Sequence, residues 1–538
     1  MTIQNSFVEM VPSSREAVGA VLTARNALLL VGVWVAYQLL RAAWNISPLH
    51  PLSRIPGPKL AAATYLPEFY YDCIKFGCYT KQIQKMHEVY GPIVRISPHE
   101  VHCIDAKFID EIFAVGGRKR DKPPHQVSGS TIELSGFATS DHDAHRVRRV
   151  PLAKFFSRAQ IARLEPEIQN LVQRMCNKLL AESGRMQPID ITMAYSCFTS
   201  DAISDYCFGS SFGFLAQKSW EPNFRAPLYS SLQTTFLFRF FPHLKHLTLA
   251  ADFFINYLPE DVALLLTTIN TTVPNQIKKT KADIDAGILE ERETVFGSLL
   301  NSDLPPEEKS LKRLADEAMA VLGAGTETTS WALSVMTFHL LTQPKLLARL
   351  TQELREVIDD PTSLPAWPTL EKLPYLGAVI QEGLRLSYGV SARSARIPTE
   401  ENLLYRGEWT PKGRSAPVDV AYVIPRGYAI GMSAVLVHHD EQIFPHSHSF
   451  IPERWLDENM ERNRELEKTM LTFSKGGRMC LGMNLALCEI HLALAALTLR
   501  VFPHMRLFET DLEDVAYDHD MFIPLTKDGS KGVRVTIV

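Results

Sequence analysis

A chain of 538 residues, 46% of them hydrophobic and 22% charged, has the composition of a globular protein and is long enough for a large buried core. Its net charge of −4 at pH 7 argues against non-specific binding to nucleic acid, which needs a clear excess of basic residues. The eight cysteines are scattered and form no CxxC pair, so the sequence predicts neither a zinc finger nor a disulfide-rich secreted domain. A reducing compartment fits this cysteine pattern best.

The first distinctive element along the chain is an apolar stretch near the N-terminus, whose core from Asn26 to Leu40 contains no charged residue. That core is shorter than the roughly 20 apolar residues that cross a bilayer, but apolar flanks and snorkelling by Arg25 and Arg41 extend it. We therefore predict a transmembrane anchor at residues 26–44. A cleaved signal peptide and a core helix are the alternatives.

The segments on either side of this stretch differ in composition. Residues 1–25 form an N-terminal segment that begins polar and turns apolar from Ala17, whereas residues 45–58 are rich in proline. Proline fixes φ, removes a backbone donor and disfavours a helix at the residue before it. Residues 45–58 are therefore predicted to be a stiff, non-helical hinge, with an ordinary loop as the alternative.

A basic helix is predicted to begin near residue 144. His145 and Arg149 are four residues apart and therefore share one face of that helix. Taken alone, a solvated helix face explains such a pair. Arg146 and Arg148 point elsewhere, where they are either solvated or part of a docking surface for an acidic partner.

A long helix is predicted from Leu314 onward, and its centre is made of poor helix formers, Ala324-Gly-Thr-Glu-Thr-Thr329. Glycine and threonine at these positions cost about 0.5–1 kcal/mol each relative to alanine. Threonine hydroxyls also bond to the preceding turn and bend helices. A helix that keeps such a centre has a packing or functional reason for it, and a structural bend is the simpler of the two.

Two residues of opposite charge, Glu382 and Arg385, follow at a spacing of three on another predicted helix. In isolation such a pair is a surface ion pair that stabilises the helix by a few tenths of a kcal/mol.

A glycine-bent loop near the C-terminus carries a single cysteine ahead of a long apolar run, Leu481 to Phe502. A helix that begins just after this cysteine aims free N–H groups at the sulfur, which favours thiolate over thiol. The ordinary interpretation is a buried structural cysteine. The spacing of the surrounding residues is more specific than that, because five types recur in one pattern, FxxGxRxCxG: Phe473, Gly476, Arg478, Cys480 and Gly482.

This loop resembles the haem-binding loop of the cytochrome P-450 superfamily, the haem-thiolate monooxygenases. Three earlier segments resemble motifs of the same superfamily in the same order: (A/G)Gx(D/E)T(T/S) at 324–329, ExxR at 382–385 and PERW at 452–455. The resemblance runs from residue 55 to the C-terminus. It implies a mainly α fold with a smaller β-rich region, a haem-thiolate catalytic domain at residues 59–538, and haem held between the two glycine-bearing helices.

The resemblance also implies roles for individual residues. Cys480 is then the axial thiolate ligand of the iron of haem b (iron protoporphyrin IX). Thr328 and Glu327 match the hydroxyl and the acid that deliver protons during oxygen activation. His145 stands where the superfamily has tryptophan in a Trp-x-x-x-Arg motif, and Arg393 is the second choice for the strand arginine. The residues expected to bind the haem besides the ligand are Arg478, Arg396, Arg149 and His145.

Two further segments are implied to support this site. Glu382, Arg385 and Arg454 resemble a buried Glu–Arg–Arg network behind the haem loop, with a structural and no catalytic role. The C-terminal strands resemble a hairpin whose tip lines the substrate pocket, here residues 521–523.

The activity implied by the resemblance is insertion of one oxygen atom of O2 into an apolar small molecule. The chain has no flavin or nicotinamide fingerprint, so the electrons are expected from NADPH-cytochrome P-450 reductase. The sequence resembles filamentous-fungal members of secondary metabolism, which implies a terpenoid or polyketide-type substrate, no nucleic-acid partner, and a single-pass location in the endoplasmic reticulum with a cytosolic catalytic domain.

Two alternatives remain from the sequence. One is a haem-thiolate isomerase or dehydratase that needs neither O2 nor a reductase, and the other is a non-catalytic, membrane-anchored haem-binding protein. The intact pair Glu327 and Thr328 favours the monooxygenase over both.

Overall fold

The computed structural model describes residues 24–185, 187–288 and 292–538. This part of the chain is mainly helical with small sheets, and the predicted fold class is confirmed. Its α-helices are α1 (Ala24–Ile46), α2 (Lys59–Ala63), α3 (Leu66–Phe69), α4 (Tyr79–Tyr90), α5 (Ile109–Phe113), α6 (Pro124–Val127), α7 (His142–Phe155), α8 (Arg158–Leu180), α9 (Ile191–Phe208), α10 (Arg225–Phe240), α11 (Glu260–Thr267), α12 (Val273–Asp285), α13 (Val295–Asn301), α14 (Leu311–Thr342), α15 (Pro344–Arg355), α16 (Trp367–Leu370), α17 (Pro374–Ser387), α18 (Ala434–His438), α19 (Arg464–Glu467) and α20 (Met483–Ala496).

The strands form small sheets at the edge of the helical body. One five-stranded sheet has the order β1-β2-β8-β5-β3, a three-stranded sheet has the order β4-β12-β9, and β6-β7 and β10-β11 are hairpins. Strands β2 and β8 pair in parallel, and the other neighbours pair antiparallel. The strands are β1 (Ile93–Ser97), β2 (Glu100–Cys103), β3 (Arg120–Asp121), β4 (Ile189–Asp190), β5 (Ser394–Pro398), β6 (Leu403–Trp409), β7 (Val418–Ile424), β8 (Ala429–Met432), β9 (Met505–Leu507), β10 (His519–Met521), β11 (Ile523–Leu525) and β12 (Arg534–Ile537).

Helix α1 is an exposed apolar helix that is long enough to cross a bilayer. Its residues Asn26–Ile46 have a mean hydropathy of 1.5, and none of the most apolar stretch is buried against the protein. The segment Met483–His504 passes the same test but is 78% buried, which is the behaviour of a core helix. Helix α1 is therefore the candidate anchor, and the proline-rich residues 47–57 after it contain turns and no helix.

Two hydrophobic cores meet at the cysteine loop. The larger core lies among the long helices and includes Leu485 of α20, whereas the smaller core lies between the five-stranded sheet and α5 and includes Leu471. Residues 472–482 connect these two anchored positions. The loop is therefore held at both ends by buried packing, one end in each core.

Helix α14 runs through the larger core without interruption, although its centre is a poor helix former. The weak centre is tied to α9, because Thr199 Oγ1 donates to the backbone oxygen of Thr326 at 2.7 Å and the Ser200 and Thr326 hydroxyls are 3.1 Å apart. A Cβ at Gly325 would lie 2.9 Å from Ile203 Cγ1. Gly325 is therefore the residue that lets the two helices approach each other.

Replacing Gly325 by alanine is expected to lower the free energy of unfolding by about 1–3 kcal/mol, because overpacking at Ile203 outweighs the gain in helix propensity. Gly323, two residues earlier, is the matched control, since a Cβ there would make an ordinary contact of 3.6 Å with Leu228. Gly323→Ala is expected to be neutral or stabilising. Denaturant titration of both variants checks this, and equal stabilities would contradict the packing argument.

Candidate active site

The cysteine loop is held in shape by its backbone. Gly476 has φ +69°, and a Cβ there would collide with the carbonyl oxygen of Phe113 at the end of α5, so only glycine fits this contact. The N–H of Cys480 donates to the carbonyl oxygen of Phe473 at 2.7 Å. The first contact fixes the loop against α5, and the second closes the loop on itself just before α20.

The Cys480 side chain is exposed, yet the surrounding protein desolvates it. Burial raises the pKa of the Cys480 thiol, while the N–H of Gly482 and the charge of Arg149 act in the opposite direction. Gly482 precedes α20, and a Cβ there would meet no atom within 4 Å. The sulfur is therefore accessible although protein surrounds it, and it lies beside a glycine with open space next to it.

A second open surface belongs to α14. Ala324 is exposed although it lies in the middle of a core helix, and the neighbouring Thr326 and Glu327 are buried. Thr328 is half-buried, and its Oγ1 donates to the carbonyl oxygen of Ala324 at 2.9 Å. One face of α14, which carries Ala324 and Thr328, is thus left uncovered by protein.

Four cationic side chains lie within electrostatic reach of one another near the sulfur: Arg149, Arg396, Arg478 and Lys122. Among the described residues, none of the four has a carboxylate within ion-pair distance. Burial lowers the pKa of Arg396 to about 9 and that of Arg478 to about 10, and it lowers the pKa of Lys122 well below its usual value. The carboxylates of Asp121 and Asp141 oppose the lowering of the Arg478 pKa from beyond ion-pair distance. Buried like charges without direct ion pairs are unfavourable, so an anion bound here would stabilise the cluster.

The hydrogen bonds of the cluster leave donors for such an anion. Arg478 donates to the carbonyl oxygens of Ser140 and Thr139, each at 2.6 Å, but its buried Nε has no partner in the part of the chain that the structure describes. Lys122 Nζ donates to the carbonyl oxygen of Phe137 at 2.6 Å. A porphyrin with two carboxylates fits this donor set, because it supplies the missing negative charge next to the accessible sulfur.

His145 is buried at the same place and makes no side-chain hydrogen bond to the described residues. Burial lowers its pKa to about 3, and Arg478, Arg149, Lys122 and His142 add to that effect. His145 is therefore neutral at physiological pH and carries one ring N–H donor.

Arg393 has a different environment. Its guanidinium lies 2.5 Å from Glu68 and 3.1 Å from Glu100, and all three side chains are buried. These ion pairs occupy Arg393, which lies just before β5, whereas Arg396 within β5 has no carboxylate partner among the described residues.

Glu327 is buried, and α10 supplies its partners. Its Oε1 accepts a hydrogen bond of 2.7 Å from the Tyr229 hydroxyl and lies 3.5 Å from Arg225 Nε. Burial raises the pKa of Glu327, and Arg225 and Tyr229 oppose that shift. Neither α10 residue could be found from the sequence, because nothing in residues 225–240 indicates contact with a helix about 100 positions later.

Behind the cysteine loop lies a fully buried network centred on Glu382. Its carboxylate accepts from Arg385 at 2.8 and 2.9 Å, from Arg454 at 3.1 Å, from the Trp455 indole at 2.9 Å and from the Ile451 N–H at 2.8 Å. Glu382 and Arg385 are both 0% exposed. The surface-pair interpretation of these two residues is therefore wrong, and the network joins α17 to the segment before the loop.

The Phe522 carbonyl oxygen at the β10–β11 turn accepts the N–H groups of Ser391 and Ala392 after α17, at 3.1 and 3.3 Å. The Phe522 ring packs edge-on against that of Phe137 at 5.4 Å. The hairpin tip is therefore held next to Phe137, the residue that Lys122 contacts.

An accessible cysteine sulfur, an open helix face and a cluster of cations without carboxylate partners are the features of a haem-thiolate protein. Comparison with known proteins supports this class. Residues 74–516 match the family model described as Cytochrome P450.

Relatives of similar length match along most of the chain. Cytochrome P450 monooxygenase ppzE from Metarhizium majus (strain ARSEF 297) is 43% identical over 460 residues, which cover 83% of this chain and 95% of the relative. Cytochrome P450 monooxygenase tpcC from Cochliobolus heterostrophus (strain C5 / ATCC 48332 / race O) is 38% identical over 510 residues, 91% of this chain and 93% of the relative. Cytochrome P450 monooxygenase MO6277 from Ascocoryne sarcoides is 36% identical over 503 residues, which cover 90% of this chain and 93% of the relative. The chain belongs to the cytochrome P450 family.

Membership confirms the predicted enzyme class and cofactor. Proteins of this family bind haem b through a cysteine thiolate, and the chain is a haem-thiolate monooxygenase that uses O2 and a redox partner. The sequence interpretation missed Lys122, Arg225 and Tyr229. Lys122 comes shortly after three other basic residues at 118–120, so the sequence gives no sign that Lys122 rather than one of these lies near the cysteine.

Proposed function

We propose that Cys480 is the thiolate ligand of the haem iron and that Arg149, Arg396, Arg478 and Lys122 hold the haem carboxylates. The observation that carries this proposal is the cation cluster without carboxylate partners beside an accessible, desolvated sulfur. His145, neutral and buried in the same cluster, adds one donor. The bound haem supplies activation of O2 and transfer of one oxygen atom to carbon.

The protein's own part in the reaction is to move protons and exclude water. Thr328 presents a hydroxyl on the open face of α14, and Glu327 presents a carboxyl whose pKa is raised by burial. A raised pKa brings the carboxyl nearer to neutral pH, where it can both take up and release a proton. Glu327 takes up protons on the side of α14 that faces α10. The Thr328 hydroxyl, on the open face of α14, holds the oxygen atom that receives these protons.

The substrate is an apolar small molecule. The open face of α14 exposes alanine and threonine, and the tip of the β10–β11 hairpin presents the Phe522 ring beside Phe137, so both surfaces offer apolar groups to a ligand. The relatives come from filamentous fungi, which supports a terpenoid or polyketide-type substrate of secondary metabolism. Hydroxylation, epoxidation and successive oxidation are all within this chemistry.

The redox partner is NADPH-cytochrome P-450 reductase, and the enzyme is anchored by α1 as a single-pass protein of the endoplasmic reticulum with its catalytic domain in the cytosol. The exposed apolar helix α1 supports the anchor. Residues 26–44 lie within it, residues 45–58 serve as the hinge, and residues 59–538 form the catalytic domain. Residues 1–23 lie outside the described part of the chain.

The test is turnover of candidate apolar scaffolds by the full chain in membranes that contain the reductase. We expect oxygenated product only when NADPH, O2 and reductase are all present.

Thr328→Ala is expected to lower the product formed per NADPH about tenfold or more, with peroxide released instead, because the hydroxyl is lost. Thr328→Ser, which keeps a hydroxyl, is the control. Product that forms without O2 would support an isomerase or dehydratase. A protein that binds haem but forms no product from any of the substrates would support a non-catalytic carrier.

A further inference from the structure

Helix α10 carries a buried polar contact at each end. Arg225 and Tyr229 in its first two turns face Glu327 of α14, and Arg239 in its last turn faces two carboxylates of the N-terminal part of the domain. Arg225 and Arg239 are 14 residues apart, which is about 21 Å along an α-helix. The helix therefore connects the oxygen-activation motif to a distant group of charges.

At the Glu327 end, one carboxylate oxygen is held and the other is free of partners. Oε1 accepts from the Tyr229 hydroxyl at 2.7 Å, whereas Oε2 is buried and has no hydrogen-bond partner among the described residues. Arg225 lies 3.5 Å from Oε1 but is shared with Asp190, at 3.7 Å. The short, directed contact is the one from Tyr229, so this hydroxyl determines which way Oε2 faces.

The distant group is a buried ion cluster made of Glu68, Asp72, Glu100, Arg239 and Arg393. Arg239 Nη1 lies 3.1 Å from Glu68 and 3.4 Å from Asp72. Arg393 lies 2.5 Å from Glu68, 3.8 Å from Asp72 and 3.1 Å from Glu100. The side chains of all five residues are less than one tenth exposed, so these pairs are screened little by solvent.

Apolar packing at this end of α10 is incomplete. Phe236 and Phe238 are buried, but Leu237 is 40% exposed and Phe241, just after the helix, is 48% exposed. The chain continues as a 3₁₀ helix, Pro242–Tyr257, and not as an extension of α10. Phe240 packs edge-on against Phe69 at 5.2 Å and against His125 at 5.4 Å, so the ion pairs of Arg239 are the charged part of the attachment of this end of α10 to the rest of the domain.

We propose that Tyr229 is a positioning residue for Glu327 and that the ion pairs of Arg239 hold α10 where Tyr229 can do this. The inference rests on the proposed proton-transfer role of Glu327 and adds what controls its orientation. Tyr229 acts through Glu327 and touches no reacting atom. Loosening of the ion cluster weakens the Tyr229–Glu327 hydrogen bond from about 15 Å away along the helix, since Tyr229 and Arg239 are 10 residues apart.

The groups that face Glu327 are Arg225 and Tyr229 from α10 and Asp190 from β4. A hydrogen bond from Tyr229 stabilises the ionised carboxylate, so its loss leaves the carboxyl protonated to higher pH. In Tyr229→Phe we expect the Glu327 titration midpoint to rise by about one pH unit. Infrared difference spectroscopy of the full chain measures this midpoint from the C=O stretch of the protonated acid, which is assigned by its disappearance in Glu327→Gln.

The remote end is tested with Arg239→Met. If this variant does not fold, the double variant Arg239→Met/Asp72→Asn takes its place, because it also replaces one of the two carboxyl groups that Arg239 contacts. We expect amide hydrogens in the last two turns of α10 to exchange about tenfold faster. The Glu327 midpoint is expected to move upward as in Tyr229→Phe, by a smaller amount. Tyr257→Phe, whose side chain is 86% exposed, and Gln233→Met, exposed on α10, are the matched controls and should change neither readout.

An unchanged midpoint in Tyr229→Phe would overturn the positioning role. Faster exchange in the Arg239 variants with an unchanged midpoint would overturn the coupling along α10. Neither readout depends on turnover, so a failure of the monooxygenase assay with these spectroscopic changes intact would count against the proposed function alone.

Discussion

Glu382→Ala is expected to lower the free energy of unfolding by about 3–5 kcal/mol, because it leaves the Arg385 guanidinium buried without its counter-charge. Arg385 is 0% exposed and cannot reach water, and its remaining partners are the carbonyl oxygens of His438, Ser447 and Ser449, which carry no full charge. The indole of Trp455 also loses its acceptor. Denaturant titration followed by circular dichroism measures the loss.

The same variant should lose haem even where the chain still folds. The network joins α17 to residues 451–455, and His438, which accepts the N–H of Leu471 at 3.0 Å, is bonded to the Arg385 backbone. Leu471 is the anchored start of the cysteine loop. We therefore expect less haem per protein chain in Glu382→Ala, measured by pyridine haemochrome absorption against protein concentration.

Glu453 provides the matched control. It pairs with Arg349 at 3.0 Å, but the two side chains are 44% and 39% exposed. An exposed pair of this kind contributes at most about 1 kcal/mol, so Glu453→Ala is expected to change stability little and haem content not at all. Equal losses of stability and of haem in Glu382→Ala and Glu453→Ala would contradict the argument that burial of the Glu382 network makes it important.

The contrast between Glu382 and Glu453 also shows why sequence alone was insufficient here. A spacing of three residues predicts that Glu382 and Arg385 meet, and they do, but it does not distinguish a buried pair from a surface pair. The distinction depends on Arg454 and Trp455, about 70 positions away. Only the resemblance of the motifs indicated that these segments come together.

Local constraints were the most predictable part of the site. The pattern around Cys480 requires a sharp turn, and Gly476 indeed has a positive φ against the Phe113 carbonyl. The weak centre of α14 does not interrupt the helix, because contacts from α9 support that centre. Propensity describes the isolated helix, and the neighbouring helix decides the outcome.

Long-range electrostatics could not be predicted. Arg393 lies just before β5 and Arg396 lies three residues later within it, yet Arg393 is paired with Glu68 and Glu100 while Arg396 has no carboxylate partner among the described residues. Lys122 joins the second group only through the tertiary fold. The sequence pattern contains the charges, and their partners are set by which elements pack together.

Cys480→Ser is expected to abolish the thiolate character of the bound haem and to lower turnover at least about 100-fold, since even groups that only orient a metal ligand are worth about 10–100-fold when removed. Serine has nearly the volume of cysteine, so the loop and its contacts to α5 should remain. A hydroxyl beside Arg149 does not ionise near neutral pH, whereas a thiol bound to a metal loses its proton. The substitution therefore changes the ligand and leaves the surrounding cation cluster in place.

The absorption spectrum of the reduced, CO-bound protein measures this directly. We expect the thiolate-type band in the wild type and its absence in Cys480→Ser, with thermal stability of the haem-free chain changed by only a few degrees, as for a substitution of nearly equal volume at an exposed side chain. Cys78→Ser, at a partly exposed cysteine far from the loop in the sequence, is the control and should keep the band. A thiolate-type spectrum that survives in Cys480→Ser would show that another cysteine ligates the iron, and the cation cluster around Arg149 and Lys122 would then need a different anion.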